Sequence, residues 1–107
     1  MIRVKVQRHE GQVVAYEISG HAGYAEKGRD TVCAAASALG QAAIIGLEEY
    51  LGLQPQVEVS PGRLRCQLDP VEAKDPRVQA IVETMILGLR GVEKGQPGRL
   101  TFQETEV

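Results

Sequence analysis

Apolar and polar residues alternate strictly at the start of the chain: Ile2, Val4 and Val6 are interleaved with Arg3, Lys5 and Gln7. A period of two puts the apolar side chains on one side of an extended strand. Val14, Tyr16 and Ile18 repeat the pattern over Gln12 to Ser19, and His9-Glu10-Gly11 supplies a turn. Residues 2–19 are therefore expected to form a β-hairpin. The period then disappears over residues 20–30 (GHAGYAEKGRD), which carry three glycines and read as a loop of eleven residues. Loops of that length are usually functional or mobile.

A helix is expected from Asp30 or Thr31, both good N-cap types, to about Leu51, with Gly52 as its stop. Its stripe of Val32, Ala35, Ala36, Leu39, Ala43 and Leu47 is built largely from small side chains, which implies close approach to a sheet or a second helix. Val57 and Val59 open a second hairpin, with Pro and Gly of Ser60-Pro61-Gly62-Arg63 placed as a type II turn requires. The return strand carries Leu64, Cys66 and Leu68 on one face. Asp75-Pro76 is an N-cap followed by Pro at the first helical position. Val78, Ile81, Val82, Met85, Ile86 and Leu89 then form one apolar helical face, expected to stop near Gly91. A final strand runs from Leu100 to Glu106. The order ββαββαβ predicts an α+β two-layer sandwich: a mixed five-stranded sheet with both helices on one face, one domain over residues 1–107.

Composition narrows the function classes. The 107 residues carry a net charge of −2, which excludes a strongly basic nucleic-acid binder; no direct nucleic-acid contact is expected. No apolar run approaches the ~18 residues of a membrane span, and MIRVKVQ lacks the apolar core of a signal peptide. The expected location is the cytoplasm, without a membrane partner. There a disulfide between Cys33 and Cys66 is not expected. His9, His21, Cys33 and Cys66 lack the paired spacing of a metal site, and no phosphate-binding glycine loop is present, so neither metal nor cofactor is expected. Cys66, alternating with Leu64 and Leu68, reads as core, and His9 as a solvated turn residue.

The chemistry concentrates in Gly20-His21-Ala22-Gly23 and Gly28-Arg29-Asp30-Thr31-Val32-Cys33-Ala34-Ala35-Ala36-Ser37. The expected helix start puts Cys33 in a first turn, where unpaired N–H groups and the helix dipole favour thiolate, the nucleophilic form. His21 stands twelve residues earlier across a glycine-rich loop that can fold back to bring imidazole to sulfur. Gly20, Gly23 and Gly28 allow positive φ and close approach of backbone to a peptide, and the loop is expected to order on binding. On this reading the oxyanion sits against helix-start N–H groups, that of Cys33 foremost. The chain has no Asn, so a Cys-His-Asn triad within it is excluded. Asp30 reads equally as the orienter of His21 and as a plain N-cap; Ser37 reads equally as a site support and as a serine bonding back to its own helix.

This segment resembles the ribosomal-processing cysteine protease family, Prp, in Gly20-His21 closing a strand, in Gly28, Asp30 and Cys33-Ala34-Ala35, and in Ser37 one turn later. The likeness extends along all 107 residues, including the Asp75-Pro76 helix start. It implies a homodimeric cysteine peptidase without cofactor, which removes a short N-terminal extension from a large-subunit ribosomal protein. The partner so implied is the N-terminal peptide of that precursor, cut at a motif rich in hydrophobic and aromatic residues. Cys33 and His21 match the family's catalytic pair, and Asp30 and Ser37 its acidic and serine positions. The competing reading is a non-enzymatic ribosome-associated peptide-binding or assembly module. A redox role for Cys33 is disfavoured because no resolving cysteine is near it in sequence.

Overall fold

A computed structural model of the chain describes residues 1–20 and 27–107, with the backbone alone for 27–30. Its strands are β1 (Ile2–His9), β2 (Gln12–Gly20), β3 (Gln56–Ser60), β4 (Arg63–Gln67) and β5 (Leu100–Glu106), and its long helices α1 (Lys27–Ile45) and α2 (Pro76–Gly95). The sheet order is β3-β4-β2-β1-β5; among the described residues only the β1–β5 pairing is parallel. The expected ββαββαβ order and mixed sheet are present.

Turn chemistry accounts for both hairpins. Glu10 and Gly11 have φ of 50° and 81°, so both central residues of the first turn are left-handed, as a type I′ turn needs. Gly62, at φ 76°, supplies the left-handed position after Pro61. The rows across the sheet then follow from register. Phe102, Val4, Ile18, Leu64 and Val59 form one row, and Glu104, Val6, Tyr16, Cys66 and Val57 the next. Val4, Ile18 and Leu64, and likewise Val6, Tyr16 and Cys66, are buried in one core with Val32, Ala36, Ala43 and Leu47 of the first helical segment and Val78, Val82, Met85, Ile86 and Leu89 of α2.

Tyr16 joins the two layers. Its hydroxyl donates to the Gly40 carbonyl of α1 at 2.8 Å, and burial pushes its phenol far above the ordinary range. A Cβ on Gly40 would lie 2.6 Å from both Ile18 Cδ1 and Leu64 Cδ2, so the glycine sets how closely helix and sheet approach. Tyr16→Phe is expected to lower stability by about 1–2 kcal/mol, the cost of losing one buried hydrogen bond. Calorimetry should then show Tm reduced by roughly 5–10 °C; an unchanged Tm would remove this bond from the account.

Four sequence expectations need correction. The register of β1 and β2 shifts between Gln7 and Arg8, so Val13 takes the core position and Val14 is only partly buried. A bulge adds an unpaired residue to one strand, so the positions on its two sides alternate in opposite phase. Helix α1 begins at Lys27, so Asp30 belongs to its first turn and is not its N-cap, Thr31 lies further in, and residues 27–30, expected in a loop, are helical. Acidic residues favour a first turn as well as a cap, because both positions meet the positive end of the helix. Helix α2 runs past Gly91 to Gly95, since a glycine inside a helix weakens it by about 1 kcal/mol without ending it. Finally, the helical stretch Thr31–Tyr50 is long and apolar enough by length and composition to cross a membrane. It meets that criterion because its Ala, Ile and Leu content outweighs scattered polar residues, and its Val32, Ala36, Ala43 and Leu47 lie in the core.

Two further boundaries move by one residue: β2 runs on to Gly20, and β4 ends at Gln67, before Leu68. Asp75 caps α2, accepting from the Arg77 backbone N–H at 2.9 Å, with Pro76 at the first position. Beyond Ile45 the first helix widens into a π-helical turn, Gly46–Tyr50, and stops at Gly52 with φ 69°.

Candidate active site

A cleft of about 140 Å³ lies between α1 and the β3–β4 hairpin, over the adjoining ends of β1 and β2. Its apolar floor is Ile2, Ile18 and Leu64, each buried. Cys33, Ser37 and Gln41 line the α1 wall. Their spacing of four residues puts them on one helical face. Cys33 is partly exposed and lines the cleft.

Gly20 lines the same cleft, and the backbone there admits no other residue without strain. Its φ is 135°, and a Cβ would run into the Met1 carbonyl oxygen and lie 2.9 Å from Ile2 Cα. The Gly20 N–H donates to the Gly62 carbonyl at 3.0 Å, which fastens the end of β2 to the hairpin turn. A Cβ on Gly62 would in turn come within 3.0 Å of the Gly20 oxygen. Two glycines thus form one rim of the cleft.

The polar groups on the walls are organised among themselves. Gln41 Nε2 donates to Ser37 Oγ at 2.8 Å, so Ser37 engages a cleft side chain. Arg63, on the hairpin rim, pairs with Glu17 at 2.8 Å and Glu58 at 3.0 Å. The Glu58 and Glu17 carboxylates hold its guanidinium above its ordinary range.

The structure therefore gathers Cys33, Ser37 and Gly20 from the expected set. Asp30 lies in the first turn of α1, three residues before Cys33, and Gly28 is in that turn too, so a loop conformation for Gly28 is overturned. His21 and Gly23 lie outside the described residues. Cys33 is the seventh residue of α1, beyond the first turn expected for it. A helix engages all but its first four N–H groups internally, so the Cys33 N–H is not the open donor expected for an oxyanion. Gln41, Arg63 and Val59 are cleft residues that sequence reading missed. For Gln41 a signal was present, since Cys33, Ser37 and Gln41 repeat at four-residue intervals; Arg63 and Val59 become neighbours of the site only through strand pairing.

Cys66 is core, as expected. It is fully buried beside Tyr16, and burial pushes its thiol up to about 11. Raising an acid's pKa keeps it protonated to higher pH, so Cys66 stays a neutral thiol well past pH 9. Iodoacetamide at pH 8 should add one label to the native protein, at Cys33, and two after denaturation. Peptide mass mapping reads the outcome; native labelling of Cys66 would contradict its burial.

The sequence model of the family described as cysteine protease Prp matches residues 1–101. Ribosomal processing cysteine protease Prp of Bacillus subtilis is 28% identical over 99 residues, covering 88% of each chain. The protein of the same name from Staphylococcus aureus is 32% identical over 88 residues, covering 79% of this chain and 80% of its own. Among solved structures, SMU.848 from Streptococcus mutans superposes with TM-score 0.86 at 28% identity, covering 100% of this chain and 96% of that one. The S. aureus Prp protease in complex with a substrate peptide gives TM-score 0.88 at 22% identity, over 97% and 99% of the two chains, a likeness of fold.

Proposed function

The chain belongs to the Prp family of cysteine proteases, and from that premise we propose that it is the endopeptidase removing the N-terminal extension of a large-subunit ribosomal protein. The observation that carries this reading is that Cys33 and Gly20 line one cleft, and His21 is the next residue after Gly20 in the sequence. Its relatives are named for ribosomal processing, and the apolar cleft floor suits a peptide rich in hydrophobic residues.

In the proposed reaction His21 takes the Cys33 thiol proton, and the sulfur attacks the scissile carbonyl carbon. The carbonyl oxygen takes the electron pair as an oxyanion. When it collapses, the C–N bond breaks and His21 returns the proton to the departing amine. Water, deprotonated by His21, then attacks the thioester and releases Cys33. Ser37 and Gln41 supply the polar donors along the α1 wall; because the Gln41 amide nitrogen only donates, the Ser37 hydroxyl hydrogen is left to point elsewhere. Asp30 serves as the orienter of His21. The working form is a cytoplasmic homodimer, a reading supported by the exposed apolar Ile45, Tyr50 and Leu87 on the helix layer; light scattering tests it.

The deciding experiment mixes the protein with the unprocessed ribosomal protein of the same genome and records intact masses, beside His21→Ala and Cys33→Ala. A single N-terminal truncation with the unaltered protein alone supports the reading and gives the cut site. Tight binding of an uncut precursor that carries an extension would point to a peptide-binding module instead.

A further inference from the structure

We infer that the outer edge of β3 receives the substrate as an added strand, with Val59 selecting an apolar residue beside it. This rests on the protease reading above. β3 is an edge strand with no bulge against β4, and all its residues except Val57 are exposed. Among the described residues nothing pairs with its outer side, and the direction of that side follows from the sheet. Gly20 donates to the Gly62 carbonyl. Counting on from that bond along the antiparallel β2–β4 pair, Leu64 exchanges its backbone bonds with Ile18. Leu64 therefore makes none with Val59, its partner on the other side. The N–H and C=O of Val59, and of Val57 two residues back, point off the edge of the sheet.

Side-chain placement agrees. Val59 ends the row that begins Phe102, Val4, Ile18, Leu64. The helices cover Val4, Ile18 and Leu64, but Val59 is 69% exposed at the rim of the Cys33 cleft. A strand added outside β3 places its own side chain next in that row, against Val59 and on the cleft side of the sheet. Pro55 and Pro61 bracket the strand, leaving a pairing edge five residues long. Backbone pairing supplies affinity in this mode, and alternate side chains supply selectivity. The occupant is the substrate peptide, because this edge runs directly into the cleft that holds Cys33.

The test uses a synthetic peptide spanning the junction between the precursor's extension and its mature N-terminus. N-methyl groups are placed on its amides one at a time, and binding to Cys33→Ala is followed by fluorescence anisotropy. Strand addition predicts a loss of roughly tenfold at alternate amides and little between them, a factor typical of one backbone hydrogen bond. A flat profile overturns the inference, and because the scan leaves Val59 unaltered it does not depend on a variant folding. In parallel, Val59→Asp should raise KM for the unmodified peptide by about tenfold with kcat within about twofold, and Val59→Ile should restore it. An unchanged KM overturns the selective role of Val59. Pairing of β3 with a second copy, seen as peptide binding that strengthens as dimers dissociate on dilution, overturns the assignment of the edge to substrate. An alternating profile without cleavage by the unaltered protein keeps strand addition and removes the protease reading; cleavage with a flat profile does the reverse.

Discussion

Cys33→Ala is expected to abolish precursor cleavage while leaving the fold intact. Removing the nucleophile of a covalent protease takes away the group that forms the intermediate, and losses of about 10⁴-fold or more in kcat are usual. Stability should hardly change. Cys33 is partly exposed on a helix that already reads Ala34-Ala35-Ala36, and alanine is the strongest helix former. Intact-mass kinetics and a thermal melt on the same sample separate the two effects. Undiminished cleavage by the folded variant would sink the assignment. A melt lowered by more than about 5 °C would show that Cys33 also contributes to packing.

The second large effect is expected from Gly20→Ala, which acts through the backbone. The position needs a left-handed φ of 135°, and the new methyl group would press on Met1 and Ile2, whose backbone atoms cannot swing aside as a side-chain tip can. Relief requires moving the end of β2 away from β1, or breaking the Gly20–Gly62 bond that closes the cleft rim. Strain at such a position, with the lost bond, should cost about 3 kcal/mol. Tm should then fall by roughly 15 °C. Cleavage should also fall below the folded fraction, because Gly20 lines the cleft and precedes His21. Denaturant unfolding reads the first effect, and cleavage at a temperature where the variant is folded reads the second. A variant with unchanged midpoint and rate would show that the rim tolerates displacement.

Much of the fold was legible because local signals agreed with tertiary demand. Ile2, Val4 and Val6 alternate and are all buried; Pro61-Gly62 turns where its chemistry says it must; Asp75 and Pro76 start a helix whose apolar face is the one that packs. The misses fall where one residue type suits two neighbouring conformations. Asp30 fits a cap and a first turn alike, and Val13 and Val14 exchange roles only because a bulge intervenes. At the site, Cys33, Ser37 and Gly20 line one cleft. Arg63 and Val59 were invisible, because nothing in a linear chain says that a hairpin forty residues downstream of Gly20 will form the opposite wall.

The parallel pairing of β5 with β1 ties the last element of the chain to the first. While the chain is being synthesised, β1 has its hairpin partner early, but its other edge stays open until Leu100–Glu106 has emerged. The sheet cannot close on one side before translation of this segment is over, and pairing of such distant segments slows the folding step that completes it. A chain stopped before Leu100 would expose the edge of a strand whose inner face carries Ile2, Val4 and Val6, the geometry that recruits other chains. Shortened products should therefore collect as aggregates.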